Sequence, residues 1–295
     1  MAAPRASGID VGAASQVRAA GAIGIDFGTT NTVLATADGD GEMRLVGFAH
    51  AEEEIVPFRS TLSFHLDPER PDRRIVEAGP FAIDAWLEEP LETRFIHSFK
   101  SYAASALFSE TRILGRRYRF EDMLSAFLLR LKAHGGEALG ELPAAAIVGR
   151  PVAFAGAQPD ERLAIERYQR ALERLGFSEI RYVLEPAAAA FFFARRLERS
   201  ATVLVGDFGG GTSDFSILRF ERTGAEIRAQ PMGASGVPLA GDAFDFRIID
   251  HLVSPELGKG SSYSVFGKVL PTPARWYAAF ARWEQLALLA ASADM

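Results

Sequence analysis

Two short apolar runs, each followed by a glycine turn and a second apolar run, form the clearest pattern in the chain. Residues 203–217 read VLVGDFGGGTSDFSI and residues 22–35 read AIGIDFGTTNTVLA. Each pattern predicts a β-hairpin, because apolar and β-branched runs are typical of strands and glycine accepts a positive φ in the turn. Residues 202–205 read TVLV, a threonine followed by three apolar residues, which predicts a strand buried on both faces.

The remaining pattern alternates predicted strands with predicted helices, as in an α/β protein. The predicted helices cover residues 81–87, 118–139 with an end or break at the glycine pair 135–136, 161–175, 186–198, 246–252 and 275–291. The predicted strands cover residues 43–48, 144–148, 181–184 and 226–231. Residues 254–273 are rich in Gly, Ser and Pro and predict an irregular crossing. The charged residues of helix 161–175 are predicted to form a solvated face.

Composition narrows the classes of function. The chain has 295 residues, a net charge of −6, 48% hydrophobic residues and no cysteine. Nucleic acid binding is disfavoured because it depends on Lys and Arg that neutralise phosphates, and a disulfide framework or a cysteine-bound metal is excluded. No apolar run is long enough to span a bilayer. Residues 1–20 lack the apolar core of a secretion signal, so we expect a disordered tail and a cytoplasmic protein.

The hairpin turns carry chemistry that suits phosphate and magnesium. Both contain the tripeptide Asp-Phe-Gly, beginning at Asp26 and at Asp207, which are 207 − 26 = 181 residues apart. Glycines leave backbone N–H groups open to an anion, and an aspartate at a strand end can hold Mg²⁺ through its water shell. One such turn would be an ordinary tight hairpin. Two copies favour a pair of lobes that bind a polyphosphate in a shared cleft.

The segments GIDFGTTNT and VGDFGGGTSDFS resemble the two phosphate motifs of the actin, hexokinase and heat-shock superfamily. Within it they resemble the heat shock protein 70 (DnaK-type) chaperones, nearest to the short YegD-type members. The resemblance implies an α/β actin-like ATPase fold with a duplicated ribonuclease-H-like motif. Residues 21–198 would form a complete lobe one with a small subdomain at about 53–135, and residues 199–295 a partial lobe two. The chain stops before the family's adenine-binding helix and second adenosine loop, so we expect a truncated chain with weak or no activity.

The resemblance also implies roles for individual residues, with ATP or ADP and Mg²⁺ as cofactors. Asp26 and Asp207 would hold hydrated Mg²⁺. The nucleotide would contact Gly28, Thr29, Thr30, Asn31, Gly209, Gly210, Gly211 and Gly241, the last in a Gly-Asp-Ala-Phe-Asp segment where Ala240 replaces a family glycine. The catalytic group would be Lys100, Glu185, Asp214 and Thr212. Lys100 could instead be a solvated surface lysine, and Glu185 a simple helix-start carboxylate.

The function implied is ATP binding and slow hydrolysis that opens and closes the cleft of a chaperone-type protein. Nucleotide is the expected partner, together with unfolded protein clients or co-chaperones, without nucleic acid or membrane. A small-molecule kinase and a filament-forming actin-like ATPase of the same superfamily are the alternatives. A kinase would need a catalytic aspartate and sugar-contacting side chains, and no such cluster stands out between the hairpins. The stretch EPAAAA, with Glu185 at its start, favours the chaperone branch.

Overall fold

Strands and helices alternate along the chain in the computed structural model, which describes residues 21–37, 43–155, 158–194, 196–224 and 226–281. The strands are β1 (Ala22–Phe27), β2 (Asn31–Ala37), β3 (Met43–Leu45), β4 (Phe48–His50), β5 (Glu53–Ile55), β6 (Phe58–Arg59), β7 (Leu62–Leu66), β8 (Arg74–Ala78), β9 (Arg94–Ile96), β10 (Thr111–Ile113), β11 (Arg116–Tyr118), β12 (Ala145–Arg150), β13 (Glu179–Leu184), β14 (Ala201–Phe208), β15 (Ser213–Thr223), β16 (Glu226–Val237), β17 (Ser262–Val265) and β18 (Lys268–Pro271). The helices are α1 (Pro80–Glu88), α2 (Phe120–His134), α3 (Glu161–Glu173), α4 (Glu185–Ala194), α5 (Gly241–Ile248), α6 (Ser254–Glu256) and α7 (Ala274–Ala278). Shorter 3₁₀ segments cover Phe99–Tyr102, Gly136–Leu139 and Ala279–Ala281, and a π-helical turn covers Ile249–Val253. The tail predicted at 1–20 and the part of the last predicted helix beyond residue 281 lie outside the described residues.

The first predicted hairpin lies in the middle of a mixed six-stranded sheet. Its order is β13-β12-β1-β2-β3, and β6 also pairs with β2. Strands β1, β12 and β13 run parallel, whereas β1–β2 and β2–β3 are antiparallel. The carboxyl ends of the three parallel strands therefore meet at one edge, where open α/β sheets bind their ligands. Asp26 is near the end of β1, and Glu185 directly follows β13.

A cluster of aromatic rings fixes the first hairpin to the core. The ring of Phe27 lies 5.4 Å from Phe99, 5.7 Å from Phe127 and 5.9 Å from Tyr168, measured between ring centroids. All four side chains are buried. Edge-on and tilted pairs at these distances are favourable beyond their area burial. Because Phe27 is the middle residue of Asp-Phe-Gly, its burial sets the direction in which Asp26 leaves the strand.

A smaller three-stranded sheet, in the order β8-β7-β9, packs with α1 and α2 beside the first sheet. The chain enters α1 through Gly79, which has φ +65 and lies so close to Phe58 that a Cβ atom would be 2.3 Å from its ring. A larger residue is therefore excluded there on both backbone and packing grounds. At the start of α2, the Asp122 carboxylate accepts a 2.8 Å bond from the Arg119 backbone N–H. Helix α1 confirms the helix predicted at residues 81–87.

The second predicted hairpin forms an antiparallel sheet in the order β14-β15-β16. Leu218 and Phe220 of β15 are buried with Ala190 and Ala194 of α4 in a second, smaller core. The prediction of a strand buried on both faces is wrong for β14, since its residues alternate in burial and Leu204 is 68% exposed. Among the described residues β14 pairs only with β15, and the helix that covers the sheet packs on the other face.

Two further predictions differ from the structure. Residues 254–273 are not wholly irregular, because β17 and β18 pair as an antiparallel hairpin. Helix α5 begins at Gly241, several residues before the predicted start at 246, because the Gly-Asp-Ala-Phe-Asp segment is itself helical. No helix in the described ranges is long and apolar enough to cross a membrane.

Candidate functional site

The two Asp-Phe-Gly hairpins close in the same way. The backbone N–H of Gly28 donates to the Asn31 carbonyl at 2.9 Å, and that of Gly209 donates to the Thr212 carbonyl at 3.0 Å. Asp26 pairs across its hairpin with Val33, and Asp207 pairs with Asp214, so the strand registers also match. The same offset of 181 residues therefore relates the hydrogen bonds of the two turns. The second hairpin differs by having a second carboxylate opposite the first.

The turns of the two hairpins lie against each other. A Cβ atom on Gly210 would be 2.1 Å from the Thr30 Oγ1 atom, and one on Gly211 would be 2.9 Å from Thr29 Oγ1. Helix α5 braces this contact, since the N–H groups of Gly241 and Asp242 donate to the Gly209 and Gly210 carbonyls at 3.0 and 2.9 Å. The predicted residues of both turns, far apart in sequence, therefore meet in one place.

Replacing Gly210 by alanine should lower the free energy of unfolding by about 1–3 kcal/mol, because overpacking at this contact forces Thr30 or the loop to move. Urea denaturation measures the loss. Gly233→Ala is the matched control, since a Cβ atom there has nothing within 4 Å. Surface substitutions of that kind change stability by no more than about 0.5 kcal/mol. Equal effects of the two variants would show that the turns do not touch in solution.

Lys100 and Glu185 form an ion pair beside the carboxyl end of β13. The Lys100 Nζ atom donates to Glu185 Oε1 at 2.7 Å, and their side chains are only 7% and 12% exposed. Lys100 lies on the 3₁₀ segment after β9, with its ammonium 5.9 Å from the Phe27 ring centroid. Glu185 is the first residue of α4. The prediction of a solvated surface lysine can be discarded, because Lys100 is buried and paired.

Three carboxyls share this region, and each has a raised pKa. Burial raises the pKa of Glu185, Asp26 and Asp207, while the nearby Lys100 ammonium lowers it. Asp26 and Asp207 also raise the pKa of Glu185, and Asp26 and Asp214 raise that of Asp207. The Asp26 side chain is exposed to solvent, although desolvation by the protein around its carboxylate raises the pKa. The group has an excess of negative charge that one lysine does not balance.

This excess fits a divalent cation. Carboxylate oxygens with room for water are the donors that Mg²⁺ prefers, and a bound cation would offset the repulsion that adds to the desolvation of Glu185 and Asp207. The described residues hold no group of three or more His, Cys, Asp or Glu close enough to enclose a metal directly. Asp26 and Asp207 are the carboxylates that could contact Mg²⁺ through its water shell. Gly149 keeps this space open, since a Cβ atom there would be 3.4 Å from Asp26 Oδ1 and 3.2 Å from Glu185 Cγ.

Asp214 and Thr212 are held inside the second hairpin. The Asp214 carboxylate is 1% exposed and accepts from the N–H groups of Val152 and Ala153 at 3.1 and 3.4 Å. It also accepts from the Thr212 hydroxyl at 2.8 Å. Asp214 thereby links the hairpin to the segment that follows β12. The Asn31 side chain is more peripheral, and its amide oxygen accepts from Arg59 at 3.3 Å.

Sequence reasoning missed three residues that support the site. Arg167 of α3 is 6% exposed, so the prediction that all charged residues of this helix are solvated is wrong. Its guanidinium donates to the carbonyls of Tyr102, Ala103, Ser105 and Phe108 at 2.5–3.1 Å, which fixes the loop after Lys100. Ser98 and Asp242 are the other two, and they bond to each other. The pattern of α3 gave no signal, because an arginine on an amphipathic helix usually faces solvent.

These elements define a mixed α/β protein with two facing glycine turns and a lysine–glutamate pair at the carboxyl ends of parallel strands. The family profile described as Hsp70 protein matches residues 94–261, which is more than half of the chain. The chain belongs to the Hsp70 family. Membership carries the actin-like ATPase fold and confirms the family resemblance seen in the hairpins. The match includes Lys100, Glu185 and the whole second hairpin, and it begins after the first hairpin.

Proposed function

We propose that the chain binds Mg-ATP between the two glycine turns and hydrolyses it as a chaperone-type ATPase. Hsp70 proteins are ATP-binding chaperones, and this supports both ATP as the nucleotide and a chaperone-type protein as the class. The observation that carries the proposal is the Lys100–Glu185 ion pair, at 2.7 Å, within a group of carboxyls whose pKa values are raised. Such a group combines an excess of negative charge, which suits a cation, with one lysine paired to Glu185.

The mechanism is positioning and charge neutralisation, as in other phosphoryl transfers. The backbone N–H groups of residues 28–31 and 209–211 would bind the phosphates, and Mg²⁺ would supply neutralising charge when bound through Asp26 and Asp207. Lys100 would stabilise charge that develops on the transferred group. Glu185 would orient the attacking water and accept its proton, for which a raised pKa is suited. Asp214 and Thr212 would fix the second turn.

Finer features of the family are part of the proposal. Residues 21–198 and 199–295 would form two lobes built on duplicated ribonuclease-H-like sheets, with the subdomain at about 53–135 on the first. The equal registers of the two hairpins support this duplication. Nearest kinship to the short YegD-type members, action on unfolded clients and a cytoplasmic location follow from the resemblance.

The test compares wild type with Asp207→Asn. Mg-ATP affinity is obtained from phosphate release at increasing ATP concentration, with and without Mg²⁺. We expect the variant to lose at least about tenfold in Mg-ATP affinity, which corresponds to about 1.4 kcal/mol. Asp72→Asn, an exposed aspartate in a distant turn, is the control. The proposal fails if wild type shows no Mg²⁺-dependent nucleotide binding, or if both variants behave like wild type.

The same variant has a predicted effect without nucleotide. The raised pKa of Asp207 means that the folded chain holds this proton more tightly than the unfolded chain. Its contribution to stability is therefore fully present below the ordinary aspartate pKa and is lost as the pH rises through the raised value. Above the raised pKa the ionised carboxylate is unfavourable, so at such a pH Asp207→Asn should melt at the same or a higher temperature. A large fall in melting temperature with unchanged affinity would make Asp207 structural.

A further inference from the structure

A side-chain hydrogen bond joins the segment before Lys100 to helix α5, which is itself bonded to the turn of the second hairpin. The Ser98 hydroxyl donates to Asp242 Oδ2 at 2.9 Å across 144 residues of sequence. His97 Nδ1 lies 2.8 Å from the same hydroxyl oxygen. Since an ionised carboxylate can only accept, Ser98 donates to Asp242 and accepts from His97. This arrangement assigns the proton of His97 to Nδ1.

Each end of this bond is attached to a part of the candidate site. Ser98 precedes the 3₁₀ segment that carries Lys100, and its carbonyl accepts from the Ser101 N–H at 3.1 Å and the Ser101 hydroxyl at 2.7 Å. On the other side, the Asp242 N–H donates to the carbonyl of Gly210. The bond therefore connects the backbone that sets the position of Lys100 to the turn that faces Thr30.

The backbone of Ser98 is unusual. Its φ of +51 lies in the left-handed region, which residues with a Cβ atom rarely adopt. Strained backbone of this kind persists when surrounding contacts over-determine it, and it concentrates at functional sites. Here the contacts are the capping bonds from Ser101 and the hydrogen bond to Asp242. Loss of the latter would remove one of the interactions that keep Ser98 in this conformation.

We propose that Ser98 and Asp242 form an interlobe latch that tightens the positioning of Lys100 when the cleft is closed. The inference rests on the proposed nucleotide function of that cleft. The bond lies at an exposed site, beside an open cavity of about 440 Å³ lined in part by His97, Ser98 and Asp242. Water can therefore replace it, so the latch opens and re-forms at small cost. Opening of the cleft for nucleotide release would break the bond and loosen the backbone at Ser98, whereas closure would restore both.

A double-mutant cycle tests the latch. Ser98→Ala and Asp242→Ala should each speed the release of a fluorescent ADP analogue by about three- to tenfold, as expected for one net hydrogen bond. The single-turnover hydrolysis rate should fall as well, and the double variant should be no worse than either single variant. Asp242→Asn keeps an acceptor oxygen and should recover part of the loss. Ser261→Ala, which removes an exposed hydroxyl bonded to Gly258 and Thr272, is the matched control.

Additive effects in the cycle, or effects equal to those of Ser261→Ala, would overturn the latch. Failure of wild type to bind the ADP analogue would instead overturn the proposed function, so the two failures are distinct. Cross-linking tests proximity without nucleotide, because the chain has no cysteine of its own. The double variant S98C/D242C should react twice with dibromobimane much faster than S98C/S261C. Equal rates would show that the two positions are not adjacent in solution, and would also overturn the latch.

Discussion

Replacing Lys100 by alanine should lower the rate of ATP hydrolysis by about 10²–10³, the usual effect of removing one preorganised charge-stabilising group. Its affinity for Mg-ADP should stay close to wild type, because the lysine acts on charge that develops during transfer. The structure adds an effect on pH dependence. Lys100 lowers the pKa of Glu185, so the pKa of this carboxyl should rise further without it. The pH at which the residual activity is half-maximal should therefore move upward.

The measurement is single-turnover hydrolysis between pH 5 and pH 9, a range of about four units around neutrality that covers shifted carboxylates. Lys268→Ala is the control, since this lysine is exposed on β18. A fall of less than about tenfold in the Lys100 variant would contradict the catalytic role, since it would be too small for a preorganised charge. A large fall with an unshifted pH profile would mean that Lys100 and Glu185 are not coupled in solution.

Replacing Arg167 by methionine should lower the free energy of unfolding by about 3–5 kcal/mol, as for breaking other buried charged networks. Methionine has similar length and no donor, so the carbonyls of Tyr102, Ala103, Ser105 and Phe108 would lose a shared partner. Buried acceptors without a partner cost about 1–3 kcal/mol each, reduced where water can enter. Turnover should also fall, because the loop follows directly after the 3₁₀ segment of Lys100.

The stability change is measured by urea denaturation. It is taken from the shift in the midpoint urea concentration when the m-value is unchanged. Arg162→Met is the matched control on the same helix, because its side chain is 85% exposed and forms a surface ion pair with Glu166. Such pairs contribute at most about 1 kcal/mol. Arg167→Lys keeps the charge but not the fork geometry and should lie between the two. Equal stability of the Arg167 and Arg162 methionine variants would contradict the role of Arg167 in the loop.

Local pattern was enough to predict the hairpins, because their signals lie within a few residues of each other. Glycine turns after apolar runs predicted the Asp26 and Asp207 hairpins, and the proline before Phe81 predicted the start of α1. Lys100 and Glu185, 85 residues apart, came from the resemblance to a family rather than from spacing. The roles given to all these residues stay predictions. No local signal links residues so far apart, and this also explains why the bond between Ser98 and Asp242 was missed.

The wrong predictions concern burial, which is a tertiary property. Leu204 lies in a β-branched apolar run, yet it is 68% exposed because the described residues supply no layer on that face of β14. Arg167 shows the opposite difference. Its charge predicts exposure, yet it is buried, where it donates to the carbonyls of a loop distant in sequence. The composition of one strand or helix does not predict the burial of Leu204 or Arg167, because burial depends on which other segment packs against that element.

The contact between the two turns has a consequence for how the sequence can change. A Cβ atom at position 210 would need the volume that the Thr30 hydroxyl occupies. Side-chain atoms at positions 30 and 210 therefore compete for the same volume, although 180 residues separate the two positions (210 − 30 = 180). Within related chains, an alanine at the position of Gly210 should be tolerated mainly where the position of Thr30 has become smaller. Evolution of one hairpin turn is in this way constrained by the other.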